Sequence, residues 1–172
     1  MNSPQTLIIG AGAAGLSAAC FCSRPALMLE RLASPGRKLL ATGDGSCNLT
    51  HECSPREMIH SFGRNSSFAA PAIYHFSPSQ IRAFFARRGV PTIVQPDGWD
   101  KATLTRGGLA VQELDPRTLA CRSISNLYCA GEVVDVDGPC GGYNLAWAFA
   151  SGSLAAASTC AAHRAALVND DE

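Results

Sequence analysis

With 172 residues, 47% of them hydrophobic, the chain is long enough to bury one core and has neither the composition of a disordered segment nor a fibrous repeat. Acidic and basic residues balance at 14 each without a long like-charge run, which excludes an electrostatic footprint for nucleic acid or an anionic membrane surface. The eight cysteines include no C-x-x-C pair, and the four histidines stand at no zinc-finger spacing, so reduced thiols and no metal site are expected.

Thr6-Leu7-Ile8-Ile9 is a short apolar run that ends at Gly10, and Ala13 to Cys22 is rich in Ala and small residues, so the start reads strand, tight turn, helix. Leu7 to Phe21 is interrupted by three glycines and follows no basic segment, so it reads as neither a signal peptide nor a spanning helix, and a cytoplasmic protein is expected. Ala26-Leu27-Met28-Leu29, ending at Glu30-Arg31, is a candidate parallel second strand that completes a βαβ unit.

Ser34 to Cys53 is dense in Gly, Ser, Thr, Asn and Asp and reads as a long, functional loop. Ser54-Pro55-Arg56-Glu57 and Ser77-Pro78-Ser79-Gln80 each place a hydroxyl at the N-cap, Pro at the first helical position and an acid or amide at the third, so two short helices are predicted to follow. Gly89 stops the second. Thr92–Gln95, Ala102–Thr105, Val111–Leu114 and Leu119–Arg122 are candidate strands of small hairpins, separated by the turns at Pro96-Asp97-Gly98 and Asp115-Pro116. Leu127 to Ala130 is an apolar strand ending at Gly131-Glu132, and Asn144 to Ala166 forms one long Ala-rich helix. The expected architecture is α/β, a Rossmann-like single domain with a parallel sheet and flanking helices, assembled from residues 1–97 and 98–172.

The chemistry starts at Gly10-Ala11-Gly12-Ala13-Ala14-Gly15. In such a turn Gly10 permits the bend, Gly12 lets backbone approach a pyrophosphate, and Gly15 allows the helix to lie close to the strand. The first helical residues, Ala13 and Ala14, then present unpaired amides to the anion. Glu30 stands where a carboxylate at the end of the second strand accepts from the ribose hydroxyls of an adenosine. Arg31 has two readings, one beside the cofactor and one solvated, because the adjacent Glu30 would repel a 2′-phosphate.

A second constellation favours a flavin over a nicotinamide nucleotide alone. Glu132 follows a strand end, where it can accept from a ribityl hydroxyl, and Gly141-Gly142-Tyr143-Asn144 leads into the long helix, whose N-terminal dipole suits the pyrimidine edge of a reduced flavin. The plainer alternative leaves Glu132 as a surface acid and the two glycines as loop.

Taken together, residues 7–18, 36–50 and 127–152 resemble the BaiN/aminoacetone-oxidase-like family of FAD flavoproteins. The resemblance implies that Lys38, Gly43, Gly45, Cys47 and Asn48 wrap the FAD pyrophosphate and ring, and that Gly131, Glu132, Gly142, Tyr143, Asn144 and Leu145 hold the ribityl chain and pyrimidine. It also implies hydride transfer between flavin and a small organic substrate, with NAD(P)H as a candidate electron donor; no residue announces itself as the catalytic acid or base. Cys47 is expected to pack near the flavin rather than to act in a dithiol pair.

The chain departs from that family at three points. Ser46 stands where the family usually has Arg, the interval from Gly15 to Glu30 is short, and the large substrate domain that family members insert in the middle is missing. Its loss would turn buried apolar surface into an exposed patch favouring homo-oligomers. The alternative function is therefore a shortened, inactive nucleotide-binding or interaction protein.

Overall fold

Thr6–Ile9 (β1) and Ala26–Leu29 (β2) pair in parallel, with Thr6 opposite Ala26 and Ile9 opposite Leu29, and Ala13–Phe21 (α1) makes the crossover between them. In the computed structural model the described residues are 5–40, 48–90 and 107–169, with side chains described to 166. The fold is the α/β Rossmann type: a two-stranded parallel sheet with helices against it. Alternation along β1 sends Ile8 inward, where it is buried, and leaves Leu7 and Ile9 on the opposite, exposed face.

Arg37–Leu40 (α2) lies inside the segment read as loop. Pro55–His60 (α3) and Pro78–Ala86 (α5) begin as predicted: Ser54 and Ser77 each accept from the third helical amide, while Glu57 and Gln80 accept from the cap amides in return. Between them lies a helix the sequence reading omits, Ser66–His75 (α4), entered through a 3-10 turn at Gly63–Asn65. Pro71 inside it removes a helical donor and reads as a breaker. Burial of Phe68, Ala69, Ala72 and Ile73 on one face outweighs that cost.

The predicted small strands of the C-terminal half are mostly turns. Val111–Glu113 is a 3-10 turn, and the ladder shrinks to single antiparallel bridges between Leu114 and Cys121 and between Ala120 and Tyr128. Leu119 and Asn126 both take the left-handed conformation, at φ 62° and 61°, and Leu119 does so in the turn that joins the paired segments, its amide donating to the Asp115 carbonyl at 2.7 Å. Leu127 to Ala130 contributes the Tyr128 bridge, the Leu127 carbonyl, which accepts from the Cys121 amide at 2.8 Å, and the Cys129 amide, which donates to the Leu119 carbonyl at 3.1 Å. Thr92–Gln95 and Ala102–Thr105 lie outside the described residues.

Tyr143–Asn169 (α6) is the spine of the molecule. Its stretch Tyr143–Ala166 is long and apolar enough to cross a bilayer, and 67% of the most apolar window is buried inside the protein, as for a central core helix. Trp147, at 1% exposure, is the largest side chain in the core and meets Phe62 and Phe68 at ring separations of 6.3 and 6.1 Å. Met58, Ile73, Ile81, Leu114, Leu119 and Val134 complete the core around α6. Small residues let α1 approach the same helix: a β-carbon on Gly152 would run into the backbone of Ala14, and Ser17 donates to the Phe149 carbonyl at 2.7 Å.

Candidate functional site

The glycine turn is built as its sequence demands. Gly10 sits at φ +94°, which favours glycine, and its amide donates to the Leu29 carbonyl at 2.8 Å. A β-carbon on Gly15 would collide with the Gly10 carbonyl oxygen, so this glycine is what lets α1 lie down on β1. Gly12 is the reverse case: it is exposed, caps α1 with extended backbone and no side-chain bond, and a β-carbon there would meet nothing within 4 Å. The turn therefore presents open space in front of its backbone and the amide end of α1, the arrangement a pyrophosphate requires.

Glu30 borders this space. One carboxylate oxygen accepts from the Ala11 amide at 2.7 Å and the other from the Leu32 amide at 2.8 Å. These amides, Leu32 first and Ala11 second, hold its carboxyl below the ordinary carboxylate value of 4.5, so it is ionised at neutral pH. A carboxylate offers about four acceptor positions, which leaves capacity for a pair of hydroxyls. Arg31 beside it is exposed.

The second motif closes on the first. Gly131, at φ +77° and buried, lies so near α1 that a β-carbon there would stand 2.6 Å from the Ala14 β-carbon. Its amide donates to the Ser151 hydroxyl at 2.9 Å, and its carbonyl accepts from the Trp147 indole at 3.1 Å, so α6 grips this peptide from both sides. The next residue, Glu132, makes an ion pair with Lys38 on α2 across 94 positions of sequence. Both side chains are substantially exposed, at 57% for Lys38 and 38% for Glu132. The cation expected at the pyrophosphate and the acid expected at the ribityl chain thus meet on one open rim.

A second group forms at the start of α6. A β-carbon on Gly142 would fall within 2.6 Å of the Thr50 backbone and 2.9 Å of the Asn48 Oδ1, so this glycine, at φ +92°, admits the 48–51 segment against the helix entrance. Tyr143 stacks on His51 at 4.8 Å with the rings 20° from parallel. Asn48 Oδ1 and His51 Nδ1 are buried polar atoms without a hydrogen-bond partner among the described residues, chemistry suited to a polar ligand completing the site. Asn144 turns its amide back on the preceding loop, donating to the Gly138 carbonyl at 2.9 Å and accepting from the Gly138 amide at 2.8 Å. Leu145 packs half-buried on the core. Gly43, Gly45 and Cys47 lie outside the described residues.

Three contributors escaped the sequence reading. His51 lies beside the predicted loop motif, while Trp147 and Ser151 sit one and two helical turns beyond Tyr143, and their four-residue spacing on one face of an Ala-rich helix is the signal that identifies them. A cleft of about 690 Å³ lies elsewhere: Ser61, Arg64, Asn65, Asp135 and Asp137 line it, and it touches none of the predicted residues.

Comparison with known proteins fits this geometry. Over 64 residues the chain is 48% identical to the 3-dehydro-bile acid delta(4,6)-reductase of Clostridium scindens, covering 37% of this chain and 16% of the reductase. Over 61 residues it is 46% identical to the ribosomal RNA dihydrouridine synthase of Escherichia coli, covering 34% of this chain and 15% of that enzyme. The synthase of the same name in Haemophilus influenzae is 39% identical over 62 residues, which cover 36% of this chain and 16% of that enzyme. Each match is thus a small part of a much longer relative. The model of the HI0933-like protein Rossmann domain matches residues 4–99 and 97–158, and the chain belongs to that family.

Proposed function

We propose that this chain binds FAD and works as an FAD-dependent oxidoreductase of the BaiN/aminoacetone-oxidase-like kind, passing hydride between flavin and a small organic substrate or NAD(P)H. The observation that carries the reading is the convergence of two remote motifs: the open backbone of Gly12 and the ionised Glu30 at one end, and the Lys38–Glu132 pair seated by Gly131 against Ala14 at the other. The open turn and the orphaned polar atoms of Asn48 and His51 fit such a cofactor.

Gly10 to Gly15 would hold the pyrophosphate on backbone amides, with Ala13 and Ala14 contributing the helix end. Glu30 would orient the adenosine ribose, with Arg31 at its edge. Lys38, released from Glu132, would neutralise phosphate charge, freeing the Glu132 carboxylate for a ribityl hydroxyl. Asn48, Gly142, Tyr143 and the first turn of α6 would meet the pyrimidine end, where the helix dipole favours negative charge. FAD, when bound, supplies the hydride chemistry, and the protein supplies position.

The relatives' names join one Rossmann frame to a bile acid and to ribosomal RNA, so the frame does not choose the substrate. For this chain, equal numbers of acidic and basic residues favour a small molecule over nucleic acid. A specific observation favours a second reading. Leu7, Ile9, Leu27 and Leu29, paired across the sheet, are 56%, 81%, 47% and 49% exposed, an apolar face suited to a shortened interaction protein or a self-associating one.

The visible spectrum separates the two readings. A yellow protein, or one that becomes yellow on reconstitution with FAD, supports the flavoprotein; a colourless protein that takes up none overturns it. Anaerobic mixing with NADH and with NADPH then tests reduction, and absence of bleaching with both would remove the nicotinamide donor.

A further inference from the structure

Cys22 and Cys160 face each other where α1 ends against α6, with their sulfurs 4.0 Å apart and 138 positions between them in sequence. Cys22 is the C-cap of α1, half-buried, with extended backbone leading into the non-helical 23–25 segment, so its side chain is the adjustable partner. Cys160 is buried at 6% exposure on the rigid helix. A disulfide needs its sulfurs at about 2.05 Å, so closure asks for an approach of about 2 Å. We propose that Cys22 and Cys160 form a reversible disulfide that fastens the first helix of the Rossmann unit to the spine helix α6.

The division of roles follows from access and charge. Cys22 is the sulfur a dissolved oxidant reaches first, because Cys160 is buried. Burial raises the Cys160 thiol, but the Ser23 hydroxyl and amide, the Cys22 thiol and the Arg164 guanidinium outweigh it and hold it below its ordinary value. With a low-molecular-weight disulfide as oxidant, the Cys22 thiolate attacks one of its sulfurs, forming a mixed disulfide and expelling one small thiolate. The Cys160 thiolate then attacks the Cys22 sulfur, forming the internal bond and expelling the second small thiolate. Two protein thiols are oxidised and one small disulfide is reduced to two thiols. A dithiol reductant runs the sequence backwards.

The test titrates the purified, reduced full chain with glutathione disulfide, quenches with an alkylating agent and maps peptides without reduction. The expected result is a cross-linked pair of peptides carrying Cys22 and Cys160, lost on treatment with dithiothreitol, with an apparent melting temperature higher by on the order of 10 °C in the oxidised form. Alkylation of both residues after oxidation, separate glutathione adducts on each, or linkage of Cys22 to another cysteine would overturn it. Cys160→Ser, which keeps a small polar side chain, should trap the glutathione adduct on Cys22; absence of that adduct in a folded variant would overturn the order of attack.

Discussion

Gly131 and Ala14 come together so closely that their contact has no room for a second β-carbon, and this contact joins the flavin-type acid motif to the glycine turn. Gly131→Ala should therefore incur two penalties: a left-handed backbone at φ +77°, costing about 1–2 kcal/mol for an L-residue, and overpacking against α1 of about 1–3 kcal/mol. Urea unfolding of the variant should show a loss of roughly 2–5 kcal/mol. Adding Ala14→Gly should recover the packing part and leave the backbone part; no recovery would mean that the contact with Ala14 is not the cause.

The Lys38–Glu132 pair is exposed, so its own contribution to folding is small, about 0–1 kcal/mol. Glu132→Ala should leave the urea midpoint nearly unchanged and weaken FAD binding roughly 10- to 100-fold, the range of one lost hydrogen bond to a charged group. Arg31→Ala should cost less affinity than Glu132→Ala. Titration of each variant with FAD, followed by quenching of flavin fluorescence, decides; equal losses would contradict the ribityl role of Glu132.

Much of this arrangement was legible in sequence, and the limits are physical. The glycine turn, Glu30 and the two capping boxes are set by backbone geometry and by hydrogen bonds within a few residues, so residue type reveals them directly. The encounter of Lys38 with Glu132, and of Gly142 with Asn48, depends on how α6 lies across the molecule, which no local pattern carries. Helix α4 was missed because Pro71 is a local breaker overruled by burial, and the strands expected after Val111 shorten to single bridges about a turn that holds Leu119 in the left-handed conformation. Leu119 is itself completely buried, so its packing holds a backbone that its β-carbon disfavours.

Ser54→Ala should destabilise the protein by about 1 kcal/mol, because it removes both the acceptor for the Glu57 amide and the hydroxyl that bonds the Glu57 carboxylate. Ser54→Asp should restore most of it, since an aspartate accepts the same amide bond, although it loses the hydroxyl donor. Thermal unfolding of the three proteins at neutral pH checks the order; a Ser54→Asp variant no better than Ser54→Ala would show that the cap bond is not what the serine supplies.

The pH response of cofactor binding should follow Glu30. Its folded value lies below the ordinary 4.5 because the Leu32 and Ala11 amides stabilise the charged form. The stability this lends is therefore complete above that ordinary value and is lost as pH falls through the lower, folded one. FAD affinity should stay level from neutral pH down toward 4.5 and decline only below it. Glu30→Gln should bind FAD more weakly and lose this acid limb; an unchanged limb would assign it to another carboxylate.

Trp147 and Ser151 hold the same Gly131 peptide from successive turns of α6, so their effects should be coupled. Trp147→Phe removes the indole donor, yet the Gly131 carbonyl keeps the Val134 amide at 3.1 Å, so the lost bond should cost only about 1 kcal/mol beyond the change in packing. Ser151→Ala removes the acceptor of the buried Gly131 amide and should cost about 1–3 kcal/mol, the penalty of an unpaired buried donor. Once either residue is gone the peptide can shift, and the second loss then removes a bond already weakened. Urea unfolding of the single and double variants should give a double loss smaller than the sum by at least about 0.5 kcal/mol, the lower end of coupling between contacting residues. Strict additivity would mean that the two bonds hold the Gly131 peptide independently and that it does not shift when one is lost.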